Sequence, residues 1–113
     1  MAKPQNIDFA RRRFNTYGDE LTITSESTGA VIDIASSTFI MYVTATKTPD
    51  SLAPADVVYS ITGTVLDGPA GRVEFAPTLL QATQPDGTLY HEVVMTDTAL
   101  RTRTVATGKY VYF

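Results

Sequence analysis

The sequence contains no cysteine and a single histidine, His91. Without thiols there are neither disulfides nor thiolate metal ligands. A metal site would need carboxylates, and no closely spaced Asp-x-Asp pattern supplies them. The sequence therefore predicts no cofactor. Long apolar runs are also missing: none approaches the ~20 residues that span a bilayer. The opening Met1-Ala2-Lys3-Pro4-Gln5-Asn6 lacks the apolar stretch of a secretory signal. The absence of cysteine fits folding in a reducing cytoplasm. Charge of one sign is scarce as well. Nine Lys and Arg against twelve Asp and Glu give a net charge of −3, a mild balance that argues against nucleic-acid or membrane-surface binding. Helix-forming periodicity is nearly absent. Pro77 to Gln84 is the one candidate, a single turn expected to pack Leu79 and Leu80 inward.

What fills the 113 residues instead is alternation. A chain of this length is one domain and buries roughly 65% of its unfolded surface. Strand patterns run through Glu20 to Ser25, Thr38 to Thr46, Val57 to Leu66 with a bulge at Gly63, and Arg72 to Ala76. Val31 to Ile34 is a short apolar piece. Asp67-Gly68-Pro69-Ala70-Gly71 is a hairpin connection. Asp86-Gly87 leads into the central strand, Thr88 to Thr96, and the last strand is Arg101 to Phe113, bulged at Gly108. Seven or eight short strands at this spacing predict an all-β, immunoglobulin-like antiparallel β-sandwich. In such a fold Tyr90 is expected buried at a corner, its hydroxyl tied to nearby backbone.

Residues that could carry chemistry find no setting for it. His91 lies on a half-buried strand and is expected at the surface or rim, without partners for catalysis. No nucleophile-elbow motif surrounds any serine. Gly68 and Gly71 flank a proline in a hairpin, with no helix following to hold a phosphate. The sequence therefore predicts no enzyme. Arg11-Arg12-Arg13 is the one charge run. In an acidic chain it reads as guanidinium groups pairing with carboxylates, within the fold or on a neighbour. Tyr110 and Tyr112 alternate with Val111 and Phe113, so one pair is expected to leave aromatic surface.

Several phrases together resemble the amino-terminal β-sandwich domain of tailed-phage baseplate upper proteins and related virion modules. They are Tyr17-Gly18-Asp19-Glu20-Leu21, Gly29 to Ile34 leading into Phe39 to Val43, Gly68 to Phe75, Gly87 to Asp97, and Thr104 to Phe113. The resemblance covers residues 17 to 113. It implies a structural virion protein (tail, baseplate, neck or capsid-surface subunit) made in the host cytoplasm. Its partners would be other virion proteins, with a homo-oligomer inside a symmetric assembly.

On this reading residues 1 to 16 form an assembly arm, and 17 to 113 the sandwich. Ile7, Phe9, Arg11 and Arg13 share one face of an extended segment. The expected interface residues are Phe9, Arg11, Arg12, Arg13, Phe14, Tyr110, Tyr112 and Phe113. The alternative reading of the segment is that Ile7 to Phe14 is the first strand of the same sandwich. A functional alternative is a module binding carbohydrate or a cell-surface ligand through Tyr59, His91 and the loop Thr46 to Asp56.

Overall fold

The computed structural model describes residues 5–25, 28–46 and 57–113. Within them run β1 (Gln5–Asn6), β2 (Phe9–Arg11), β3 (Asp19–Thr22), β4 (Thr38–Thr44), β5 (Val57–Thr62), β6 (Thr64–Asp67) and β7 (Arg72–Phe75). A 3₁₀ turn (Gln81–Thr83) follows, then β8 (Gly87–Thr96) and β9 (Thr102–Tyr112). No α-helix occurs among the described residues. The larger sheet has the order β9-β8-β4-β5, with β1 and β2 both on the outer edge of β9. The smaller sheet is β3-β7-β6. The two bury one apolar layer between them. Leu21, Val73 and Phe75 come from the smaller sheet; Phe39, Met41, Val43, Ile61 and Val93 come from the larger.

Strand alternation dictates which side chains enter this layer. On β8, His91, Val93 and Met95 point inward and are buried. Tyr90 therefore lies with Glu92 and Val94 on the opposite face, half-buried between Thr44 and Lys109. It is not the buried corner tyrosine expected from the sequence. On β9 the parity changes at a bulge. Val93 pairs with Ala106 but Val94 with Thr104, so Val105 is the extra residue. Val105 and Ala106 consequently both face the core. The bulge sits here rather than at Gly108.

The expected strand Val57 to Leu66 is two strands in different sheets, β5 in the larger and β6 in the smaller. Gly63 is where the chain crosses, and it does so through crowded space. A Cβ there would come within 2.8 Å of both Phe75 and Val73. The hairpin after β6 forms as its residues suggest: Asp67 accepts the Ala70 amide at 3.1 Å, and Gly71 takes a φ of 69°. The expected helical turn is inverted, however. Pro77 and Ala82 are its buried residues, whereas Leu79 and Leu80 project into solvent.

Residues 5–11 belong to the larger sheet, which realises the alternative of a first strand. They run parallel to β9, Gln5 beside Ala106 and Arg11 beside Tyr112. Position 16 is therefore no boundary in the fold, and the sandwich is antiparallel only apart from this edge. The contact is close because of Gly108, where a Cβ would stand 1.9 Å from the Ile7 carbonyl oxygen. Residues 47–56, which include most of the expected loop, lie outside the described residues.

Gly63→Ala is expected to lower stability by about 1–3 kcal/mol, the usual cost of an extra methyl in a packed core. Urea unfolding followed by circular dichroism measures it; an unchanged midpoint would show that the crossing is looser than described.

Candidate functional site

The least expected feature of the interior is a charge. Arg11 is fully buried and Asp19 nearly so, and their ion pair closes at 2.8 Å. Strand parity puts Arg11 there: Ile7 and Phe9 pack against the core, so the next residue of the same face must follow them. Its fork is almost fully used. Nε donates to the Tyr110 hydroxyl at 2.8 Å, one terminal nitrogen donates to the Asn15 carbonyl at 2.9 Å, and the other donates to Asp19 Oδ2 at 2.8 Å. The Tyr110 hydroxyl in turn donates to the same carboxylate oxygen. The ring of Tyr17 covers the guanidinium from outside at 4.3 Å, a cation–π contact that shields it from water.

Burial alone would weaken the charge on Arg11. The hydrogen bonds to Tyr110 and Asp19, and the attraction of Asp19, outweigh it and hold the guanidinium above its ordinary pKa. The cluster joins β2, β3 and β9, so one set of polar contacts ties the edge strand to both sheets.

Beside it, the Tyr59 and Tyr112 hydroxyls share a hydrogen bond of 2.5 Å. Burial pushes all three phenols up: Tyr59, Tyr110 and Tyr112. Gln81 closes this end of the sandwich, its amide donating to the Ser60 carbonyl at 3.0 Å and its side-chain oxygen accepting the Thr78 amide at 2.9 Å.

His91 is interior, not at the rim. Its Nε2 lies 2.5 Å from the Ile7 carbonyl oxygen. A carbonyl only accepts, so Nε2 carries the proton. Nδ1 is buried and finds no hydrogen-bond partner among the described residues. No group of three or more His, Asp or Glu able to hold a metal ion occurs among the described residues. Tyr59 and His91, the side chains expected to serve a carbohydrate site, are thus inside the sandwich.

The expected interface residues separate into two sets. Arg11, Tyr110 and Tyr112 are buried and Phe9 is half-buried against the core, so their contacts are made within the chain. Arg12, Phe14 and Phe113 are exposed and Arg13 is partly so. These four lie together. Phe113 donates its amide to the Arg11 carbonyl and accepts from the Arg13 amide, both at 3.0 Å, so it sits beside Arg12. The Phe14 amide bonds to the Ala82 carbonyl at 2.8 Å, which brings Leu79 and Leu80, just ahead of the 3₁₀ turn, to the same end. Exposure there is high, 56% for Phe14 and for Phe113, 60% for Leu79 and 81% for Leu80. Arg13 lies over the Phe14 ring at 5.1 Å. Neither Arg12 nor Arg13 forms an ion pair among the described residues, while Arg72 and Arg101 find Glu20 and Asp97.

Asp19, Tyr59 and Gln81 escaped sequence reasoning as partners in these clusters. Only the shared face of Ile7, Phe9 and Arg11 carried a signal. Compared with protein-family models and with curated proteins, the chain finds no match.

Removing one member of the buried pair should be costly. Arg11→Ala leaves Asp19 uncompensated and is expected to destabilise by about 3–5 kcal/mol, whereas Arg11→Met with Asp19→Leu recovers much of that loss. Denaturant midpoints of the three proteins test this; a double variant as weak as the single one would show that packing, not charge, sets the cost.

A second expectation concerns alkaline pH. Folding raises the pKa of three phenols above the unfolded value of ~10, so their contribution is complete below that pH and lost as pH climbs through it. Absorbance at 295 nm should show a delayed fraction of tyrosine ionising together with loss of tertiary circular dichroism. Ionisation of all six tyrosines in one smooth step near 10, with the fold intact, would contradict it.

Proposed function

We propose that this protein is a non-enzymatic structural component of a tailed-phage virion, similar to the amino-terminal sandwich domain of baseplate upper proteins, and that it works by holding other subunits. The observation that carries the reading is the exposed end built from Phe14, Leu79, Leu80 and Phe113 with Arg12 and Arg13 beside them. Large apolar side chains gathered at one surface, rimmed by charge, are a usual mark of protein–protein contact. Arg and aromatic residues are also the types that carry most energy at such contacts.

Two further features support it. Phe14 has a φ of 70°, a conformation that is uncommon for a bulky residue and that tends to persist where function requires it. Here it holds an aromatic ring outward. The strand order supports an immunoglobulin-like assignment: β9-β8-β4-β5 corresponds to G-F-C-C′ of a variable-type sandwich, and β3-β7-β6 to B-E-D. That architecture leaves its ends available for partners.

Two surface variants test the proposal. Phe14→Gly relieves the backbone conformation and Leu80→Asp places a charge on an exposed position, so the melting temperature should move by only a few degrees. Association should nevertheless be lost. The measurement is native mass spectrometry of the chain co-expressed with the products of its neighbouring genes. Complexes that form with the original chain and vanish with Phe14→Gly/Leu80→Asp support the reading. A chain that stays monomeric with every neighbour, or a complex indifferent to the substitutions, overturns it.

A further inference from the structure

The edge strand is attached at two chemically different points. At one, Arg11 is locked into Asp19 and Tyr110. At the other, the Ile7 carbonyl is turned toward His91. His91 stands directly opposite Gly108 on β9. With no side chain at 108, the imidazole reaches across that strand to the backbone of the edge segment. The same gap lets Ile7 approach so closely that a Cβ on Gly108 would overlap its carbonyl. Around these contacts the segment is held lightly: the Ile7 amide donates to the Thr107 carbonyl at 2.8 Å, and the Lys109 amide donates to Asp8 Oδ1 at 2.9 Å. The Phe9 ring covers the imidazole at 5.0 Å.

We infer that His91 is a proton-operated latch: its protonation frees residues 5–9 from β9 while Arg11 keeps the strand tethered. The reason is the second ring nitrogen. Nδ1 is buried with no partner among the described residues, so a proton added there would be a buried donor with none of them to bond, which is costly. The surroundings do not rescue it. Val43 from β4, Gly108 and Tyr110 from β9, and Phe9 from the edge segment face or adjoin the ring and bring no negative charge. The charged neighbours are Asp8 on the edge segment and Asp19 on β3, and Asp19 is already engaged by Arg11. Burial opposes the imidazolium more strongly than these carboxylates and the Ile7 carbonyl favour it, so the His91 pKa lies below its ordinary value. From the edge segment, the Phe9 ring packs on the imidazole and the Ile7 carbonyl meets its Nε2. Lifting them hydrates it, at the cost of the β1 pairing, the Phe9 end of β2, the Gln5, Ile7 and Asp8 hydrogen bonds and the packing of Ile7 and Phe9 on the core.

The sign follows from linkage. A base whose pKa is lowered on closure favours the closed form above about 6.5 and loses that preference as pH falls. The ratio of open to closed should rise about tenfold per pH unit below 6.5, until the pKa of the closed form is reached. Two variants separate imidazole from carboxylate. His91→Gln can still offer an N–H to Ile7 but does not titrate, and Asp8→Asn removes the carboxylate of the edge segment.

The experiment is amide hydrogen exchange by NMR on the full chain between pH 7.5 and 5, as protection relative to the unstructured rate. Protection of the Ile7 and Lys109 amides should fall by tenfold or more, while Val93 in the centre of the sheet is unchanged. The drop should follow the His91 ring resonances, persist in Asp8→Asn and disappear in His91→Gln. Protection that is flat with pH overturns the latch, and so does a step retained in His91→Gln or a loss shared equally by Val93. If His91→Gln does not fold, the original chain still decides: a protection step whose midpoint departs from the ring titration overturns it.

Discussion

A guanidinium removed from water constrains everything around it. The charge of Arg11 can be buried because Tyr110, Asp19 and the Asn15 carbonyl satisfy its donors and Tyr17 covers its face. Each of those groups is held in turn by another part of the sandwich. Tyr110 must face inward on β9, Asp19 must begin β3, and the bend after Arg11 must return the Asn15 carbonyl. A buried pair of this kind is weak evidence for net stability, because desolvation consumes most of the attraction. Its effect is to fix position. An apolar residue at 11 could slide along β9, but a fork with three separate acceptors fits one register.

The sequence was most legible where geometry is local. Alternation along Thr38 to Thr46 and Thr88 to Thr96 gave the two central strands, and Asp-Gly spacing gave the hairpin at 67–71. The all-β architecture with two sheets follows from those signals. Features that depend on distant neighbours were not legible. Gly63 reads equally as a bulge or as a crossing, and only the presence of Phe75 and Val73 decides it. Tyr90 looked like a corner residue beside Asp86-Gly87, yet the parity set by Val93 and Met95 sends it to the other face. Leu79 and Leu80 failed similarly: hydrophobicity predicted burial, but Pro77 and Ala82 hold the turn with its leucines outward.

For the candidate surface, three of the eight expected residues, Arg11, Tyr110 and Tyr112, are interior, and Phe9 is half-buried against the core. The run Arg11-Arg12-Arg13 is uniform in sequence, but the strand ends at Arg11 and the other two lie in the bend beyond it. Arg11 is enclosed, Arg12 lies outside beside Phe113, and Arg13 turns toward Phe14. Three identical residues therefore do three different things, and composition cannot distinguish them. Ile7 and Phe9 on the same face as Arg11 were the available clue. The weight of a triple arginine as a surface feature obscured it.

The pairing of the first strand with the last has a consequence for synthesis. Residues 5–11 leave the ribosome before the other described strands of the sandwich, but the edge they occupy belongs to β9, the last of those strands to be made. Until then Arg11 has neither Tyr110 nor a closed sheet to enter, and β8 lacks its neighbour. Such sequence-distant contacts slow folding, because chain closure must precede any reward. The sandwich is thus completed only once β9 is available, and its apolar face stays open to other contacts throughout that interval.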